Sequence, residues 1–121
     1  MKKINLQEKL SLFQDFWSPK IIGEVNGQYL KLAKVKGELI WHRHEEEDEL
    51  FMVIKGRLTL QFRNGHVILE PGEIYVVPKG VEHLPVAEEE THLLLLEPKG
   101  TAHTGKIIDE RTVAEEDQIR I

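Results

Sequence analysis

The chain has 121 residues with 16 Lys and Arg against 21 Asp and Glu, a formal net charge of -5. This is enough for one ordinary domain, and it carries no basic stripe of the kind a nucleic-acid partner requires. The absence of cysteine excludes disulfide staples, zinc-thiolate fingers and cysteine nucleophiles, so a bound metal must be held by nitrogen and oxygen. The opening MKKINLQEKL lacks the apolar core of a signal peptide, and no run approaches the roughly 18 apolar residues of a membrane helix. Neither a nucleic acid nor a membrane is therefore expected as a partner, and the default location is cytoplasmic.

Three segments are expected: an N-terminal helix or arm over 1–19, a barrel over 20–98 and a C-terminal tail over 99–121 that packs on the barrel. From Asn5 to Phe16, Leu6, Leu10 and Phe13 recur at helical spacing, with Leu12 and Phe16 on an adjoining stripe. The pattern predicts one short helix ending before Ser18-Pro19, with an irregular arm carrying the same residues as the alternative.

After Pro19 short apolar runs are broken by Asn26-Gly27, Asn64-Gly65, Pro71-Gly72 and Lys79-Gly80, the punctuation of hairpins. The runs predict strands at 21–25, 29–35, 39–44, 49–54, 58–62, 67–69, 74–77, 83–86 and 92–97. Nine short strands at this spacing mean an all-β sandwich or barrel. Leu58, Leu60 and Phe62 alternate with polar residues, but Leu50 to Ile54 and Leu93 to Leu96 are apolar on both faces and need cover outside the barrel as well as inside. The N-terminal segment, a second copy of the chain, or both must supply it, so a homodimer is expected. Beyond Lys99 the sequence turns polar, with a possible last turn around Glu115 to Ile119.

His42 and His44 are one residue apart on a predicted strand, so their imidazoles emerge from one face about 7 Å apart along the chain. The run Glu45-Glu46-Glu47-Asp48 reverses the chain and returns Glu49 at the start of the next strand, opposite the two histidines. Glu45 to Asp48 compete with Glu49 as the carboxylate. Glu49 is favoured because it abuts the apolar strand and can point inward with Phe51 and Val53. A strand and tight turn from Gly72 to Gly80 then deliver His83 as a fourth ligand candidate. His66, His92 and His103 read as turn, structural and surface residues respectively, with a supporting hydrogen bond to the site as the other reading of His92. Tyr29, Trp41, Phe51, Phe62 and Tyr75 read as core. Tyr75 alone carries a hydroxyl that could reach a pocket. Glu82 should point away from its neighbour His83, and Arg43 and Lys79 read as solvated.

These two blocks resemble the paired motifs of the cupin superfamily. His42, His44, Glu49 and Gly56 match the spacing of the first, and Gly72, Pro78, Gly80 and His83 that of the second. Gly37 stands one residue closer to His42 than is usual in the family, and Ala87 replaces an asparagine often found there. The resemblance covers about residues 30–97 and implies a small single-domain, RmlC-like cupin: a double-stranded β-helix (jelly-roll) barrel with a short N-terminal helix. It also implies one divalent metal ion, Fe, Mn, Ni, Co, Zn or Cu, on His42, His44, Glu49 and His83. An ion that prefers six ligands would keep two positions open. The expected function is a metal-dependent enzyme of oxygenase or isomerase type, acting on a small polar molecule in the barrel; the alternative is a non-catalytic binding or sensing module. A narrow apolar pocket with no titratable group besides the ligands would favour binding, and an acid within reach of an open position would favour catalysis.

Overall fold

The structure is a computed structural model in which residues 2–99 and 118–121 are described. Asn5 caps the first helix, α1 (Leu6–Leu10), by accepting the Glu8 backbone N–H at 3.0 Å, which satisfies one of the donors a helix start leaves unpaired. The helix is shorter than the expected Asn5 to Phe16 because its end is capped at once. The Ser11 N–H is shared between the Gln7 and Glu8 carbonyls, and its hydroxyl donates to Glu8 O at 2.6 Å. The Phe13 carbonyl is taken by the buried Lys34 ammonium at 2.7 Å. Residues 12–19 consequently run as an arm. Of the two expected stripes, Leu6, Leu10 and Phe13 pack inward, whereas Leu12 and Phe16 remain 63% and 41% exposed.

Seven strands follow among the described residues: β1 (Lys20–Val25), β2 (Gln28–Glu38), β3 (Glu49–Lys55), β4 (Leu58–Phe62), β5 (Gly65–Leu69), β6 (Ile74–Val77) and β7 (His83–Pro98). All pair antiparallel in the order β1-β2-β7-β3-β6, with β4 joined to β7 and β5 to β4. Asn26 and Gly27 both adopt positive φ, 49° and 75°, the mirror-image turn whose twist suits a tight hairpin. Among the described residues, no helix is long and apolar enough to cross a membrane.

Three expected strands are drawn differently by the structure. Residues 39–44 form no strand: their ladder is a single bridge between His42 and His83. The backbone there is committed elsewhere, with Ile40 O accepting from the His42 ring and His44 O accepting from Gly80 N at 2.7 Å. Conversely, 83–86 and 92–97 belong to one strand, β7. Glu88, Glu89 and Glu90 are exposed at its corner, where the pairing with β2 jumps from Val35↔Thr91 to Gly37↔Ala87. Extra residues on one side of a ladder bend a strand, so β7 pairs with β4 before the corner and with β3 after it.

A close contact locks this corner in place. At Gly56, between β3 and β4, φ is +92° and an added Cβ would lie 2.5 Å from Thr91 Oγ1 and 2.9 Å from Glu90 O. The Thr91 hydroxyl meanwhile accepts the Arg57 N–H at 3.1 Å. Glycine is required there on both counts.

The core fills the inner face: Ala33, Val35, Phe51, Val53, Leu58, Leu60, Leu93 and Leu95 are buried in one cluster. On the outer face, Leu32, Ile54 and Leu94 are covered by Leu6, Leu10 and Phe13, so the N-terminal segment supplies part of the external cover. At the far end of the chain, Ile21 N donates to Ile119 O at 2.9 Å and Ile121 N to Ile21 O at 3.0 Å, which lays the last residues parallel to β1. His103 and most of the turn expected near Glu115 to Ile119 lie outside the described residues.

Candidate metal centre

Alternation along β3 sends Glu49, Phe51 and Val53 inward, and the bridge between His42 and His83 draws the preceding segment across the barrel end beside it. The ring nitrogens of His42, His44 and His83 and a carboxylate oxygen of Glu49 lie within 4.8 Å of one another, all four residues being buried. Glu49 Oε1 stands 3.4 Å from both His44 Nε2 and His83 Nε2. That is long for a charge-assisted hydrogen bond, which closes to roughly 2.7–2.9 Å. It suits two donors that share one ion at roughly 2.1 Å each.

Both ring orientations that matter are set by the backbone. His42 Nδ1 lies 2.8 Å from Ile40 O and His83 Nδ1 2.9 Å from Val81 O. A carbonyl accepts only from N–H, so Nδ1 carries the proton and Nε2 presents its lone pair to the centre. His44 Nδ1 faces Glu47 Oε1 at 3.4 Å, which gives one of the acidic-loop residues a supporting place. His42 Nε2, His44 Nε2, His83 Nε2 and Glu49 Oε1 are buried with no protein hydrogen-bond partner. Four orphaned acceptor atoms converging on a point are costly unless something fills it, and an N3O donor set fits a divalent first-row ion. The other carboxylates of the loop do not join: Arg43 pairs with Glu45 at 2.6 Å, and Asp48 accepts from Lys79 N at 2.9 Å.

Protonation follows from these contacts. Burial, helped by the His83 charge, pushes His42 down to about 4, which keeps the imidazole neutral as a ligand must be. His44 moves up: burial opposes its charge, but Glu49, Glu97 and Glu47 together outweigh that. Burial likewise opposes the Glu49 carboxylate, yet the adjacent His44 and His83 hold it well below the usual range.

Two buried groups were not singled out by the sequence reading. Lys31 and Glu97 are both fully buried, with Lys31 Nζ 2.7 Å from Glu97 Oε1, and continuing the register between β3 and β7 by one residue sets Glu97 beside Glu49. Burial and the Glu49 charge, only partly offset by Lys31, push Glu97 up to about 8. The available signal was parity: Lys31 shares a face with Ala33 and Val35, and Glu97 with Leu93 and Leu95. The remaining candidates sit elsewhere. His92 lies 2.6 Å from Glu90 beside the β7 corner, His66 is exposed on β5, and Glu82 accepts from Arg63 at 2.6 Å on the surface. Tyr75 packs on Phe62, rings 5.7 Å apart, and Arg63 stacks 3.8 Å from the Trp41 ring.

His42 and Glu49 open onto a cavity of ≈ 30 Å³. Its other walls are Trp17 and Pro19 from the arm, with Ala33, Val35, Leu39, Phe51, Pro85, Leu93 and Leu95. Room for a water takes about 10–15 Å³ of such volume, so the space holds one or two water-sized molecules. Trp17 is held there by its N–H on Lys34 O at 2.8 Å and its indole N–H on Lys36 O at 2.9 Å.

Comparison with known proteins agrees with this architecture. A cupin-2 domain protein from Shewanella frigidimarina is 48% identical, with a TM-score of 0.79 over 79% of this chain and 94% of its own. A Neisseria meningitidis protein of known structure is 32% identical, with a TM-score of 0.74 over 81% of this chain and all (100%) of its own. The uncharacterized Bacillus subtilis protein YdbB is 38% identical over 63 residues, 51% of this chain and 56% of that protein, so the chain spans about half the length of this curated relative. Residues 30–98 match the family model described as Cupin domain, and the chain belongs to the cupin family.

Proposed function

We propose that His42, His44, Glu49 and His83 hold one divalent ion and that the centre serves a metal-dependent reaction of oxygenase type on a small molecule with an apolar body. The observation that carries this reading is the convergence of four buried ligand atoms within 4.8 Å; between oxygenase and isomerase chemistry, the walls of the adjoining cavity, apolar apart from His42 and Glu49, favour the former. An isomerase acting on a sugar needs polar side chains to orient hydroxyl groups, and among the described lining residues none is present besides those two. The small polar molecule expected from the sequence would meet the ion with its polar end, and because the space beside the ligands holds only one or two waters, the Trp17 and Pro19 wall has to move aside to admit it. A bound ion supplies charge stabilisation and open positions for small ligands. The chain's own residues orient the imidazoles through Ile40 O and Val81 O, exclude bulk water with Trp17 and Pro19, and hold the Glu49 carboxylate ionised.

A non-catalytic binding module is favoured by the same wall, because no acid or base other than the ligands lines it. Elemental analysis of protein purified without chelator or added metal, beside His42→Ala, separates the readings when paired with dioxygen uptake by the Fe(II)-loaded protein on a panel of small phenols and diketones. Iron or manganese in the wild-type protein, absent from the variant, together with uptake on any member supports the oxygenase. Metal without uptake supports binding, and no metal in either protein removes the centre.

The exposed part of the outer face bears on assembly. Ile74 and Val76 on the edge strand β6 are 57% and 46% exposed, and Val76 pairs across to Leu50 and through it to Leu96. We assign this patch as the contact of the homodimer expected from the sequence.

A further inference from the structure

The inner face of β2, β7 and β3 is built in rows. Val53, Leu93 and Ala33 form one row; Phe51, Leu95 and Lys31 form the next. Continuing the register one inner step sets Glu49 beside Glu97, which pairs in turn with Tyr29. A carboxylate and an ammonium with no exposure occupy positions where the preceding row is wholly apolar. Burying such a pair in place of well-packed apolar side chains gains little stability and often costs some. A stability role therefore does not account for it.

Its location does. The register sets Glu97 beside Glu49 on the inner face, where both are buried, while Glu49 Oε1 faces His44 and His83. We propose that Lys31 and Glu97 form a positioning pair for Glu49: Lys31 fixes Glu97, and Glu97 fixes the rotamer and the ligand oxygen of Glu49. Neither residue touches the ion. The proposal rests on the reading of the four-residue cluster as a metal centre. Lys31 comes from β2 and Glu97 from the end of β7 remote from His83.

The test is Co(II) affinity, measured by competition with a chromogenic chelator, together with the Co(II) absorption spectrum and the melting temperature of the metal-free protein. In the Lys31→Met/Glu97→Leu double variant the affinity is expected to fall 10- to 100-fold, the usual effect of losing a ligand's supporting partner, with shifted absorption bands. Glu97→Asp keeps the carboxyl group but withdraws it by one methylene, so it is expected to lose about tenfold by the same principle and to shift the bands. Glu97→Gln keeps the length of the side chain and a hydrogen-bonding head beside Glu49 and should restore affinity to within about threefold and the wild-type spectrum. The Asp and Gln variants decide the matter if the double variant does not fold. Wild-type affinity and spectrum in the Asp or the double variant overturn the proposal. A wild-type protein that takes up no Co(II) overturns the metal centre itself and the pair's role with it, a result distinct from the preceding one.

Discussion

On the inner face of β2, β7 and β3 the residues become more polar row by row, from Val53, Leu93 and Ala33 to Glu49 and Glu97, whereas the outer face of the same strands is apolar in the rows of Leu32, Leu94 and Met52 and of Leu30, Leu96 and Leu50 and polar at Lys34 and His92. The inner polar groups are tolerated because each has a partner or a common focus: Lys31 on Glu97, Glu97 on Glu49, Glu49 among the histidines. The outer apolar groups are tolerated where α1 and the arm cover them, at Leu32, Ile54 and Leu94, and stand open at Ile74 and Val76. Burial here does not follow hydrophobicity. It follows whether a side chain's requirement, a charge partner or an apolar cover, is met on that face.

Removing a member of the inner set should have the largest effect. His83→Ala leaves three donors and an added void, and the metal content of protein purified without chelator is expected to drop from about one ion per chain to background by elemental analysis; full retention would break the inner-face reading. Next comes Lys31→Met at pH 8, which strands Glu97 and should cost about 3–5 kcal/mol in urea unfolding. Replacing both partners with apolar residues should recover most of that loss.

The outer face is probed by Leu10→Ala, which uncovers Leu32; a buried leucine truncation costs about 2–5 kcal/mol. Metal content should be unchanged. A loss of metal in this variant would show that the two faces are not separable.

A smaller effect is expected from pH. The Glu97 value of about 8 lies above its ordinary 4.5, so its contribution is complete below about 4.5 and is lost as pH rises through 8. The raised His44 has the same sign: its contribution is present below 6.5 and lost above. The lowered His42 acts only below 6.5, where the unfolded chain takes up protons first, and the lowered Glu49 only below 4.5. Between pH 6.5 and 8 the metal-free protein should therefore become less stable as pH rises, by at most about 1.4 kcal/mol per pH unit for each group. Urea unfolding in chelator measures this, and Glu97→Gln should reduce the slope; an upward slope contradicts the assignment. Least of all should Val76→Lys disturb the fold, since an exposed substitution usually stays within about 0.5 kcal/mol. It should convert a dimer to a monomer in analytical ultracentrifugation, and an unchanged sedimentation coefficient from a dimeric wild type would move the contact elsewhere.

The sequence by itself determined the β architecture and the Asn26-Gly27 hairpin, because turn dipeptides and the two-residue period of a strand are local properties of the chain, and its likeness to the cupin motifs singled out the four residues that meet. It also showed that strands apolar on both faces need external cover. Tertiary structure decided the rest. The helix ends at Leu10, where Ser11 caps it, and beyond that end Lys34, far along the chain, holds the Phe13 carbonyl of the arm. Residues 39–44 give up their ladder to orient the His42 ring and anchor a turn, and β7 stays whole through three glutamates because a bulge carries them outward. Lys31 and Glu97 looked like ordinary charged strand residues. Only the register between β2, β7 and β3 puts them against each other and behind Glu49, and register is a relation between distant segments that no local pattern contains.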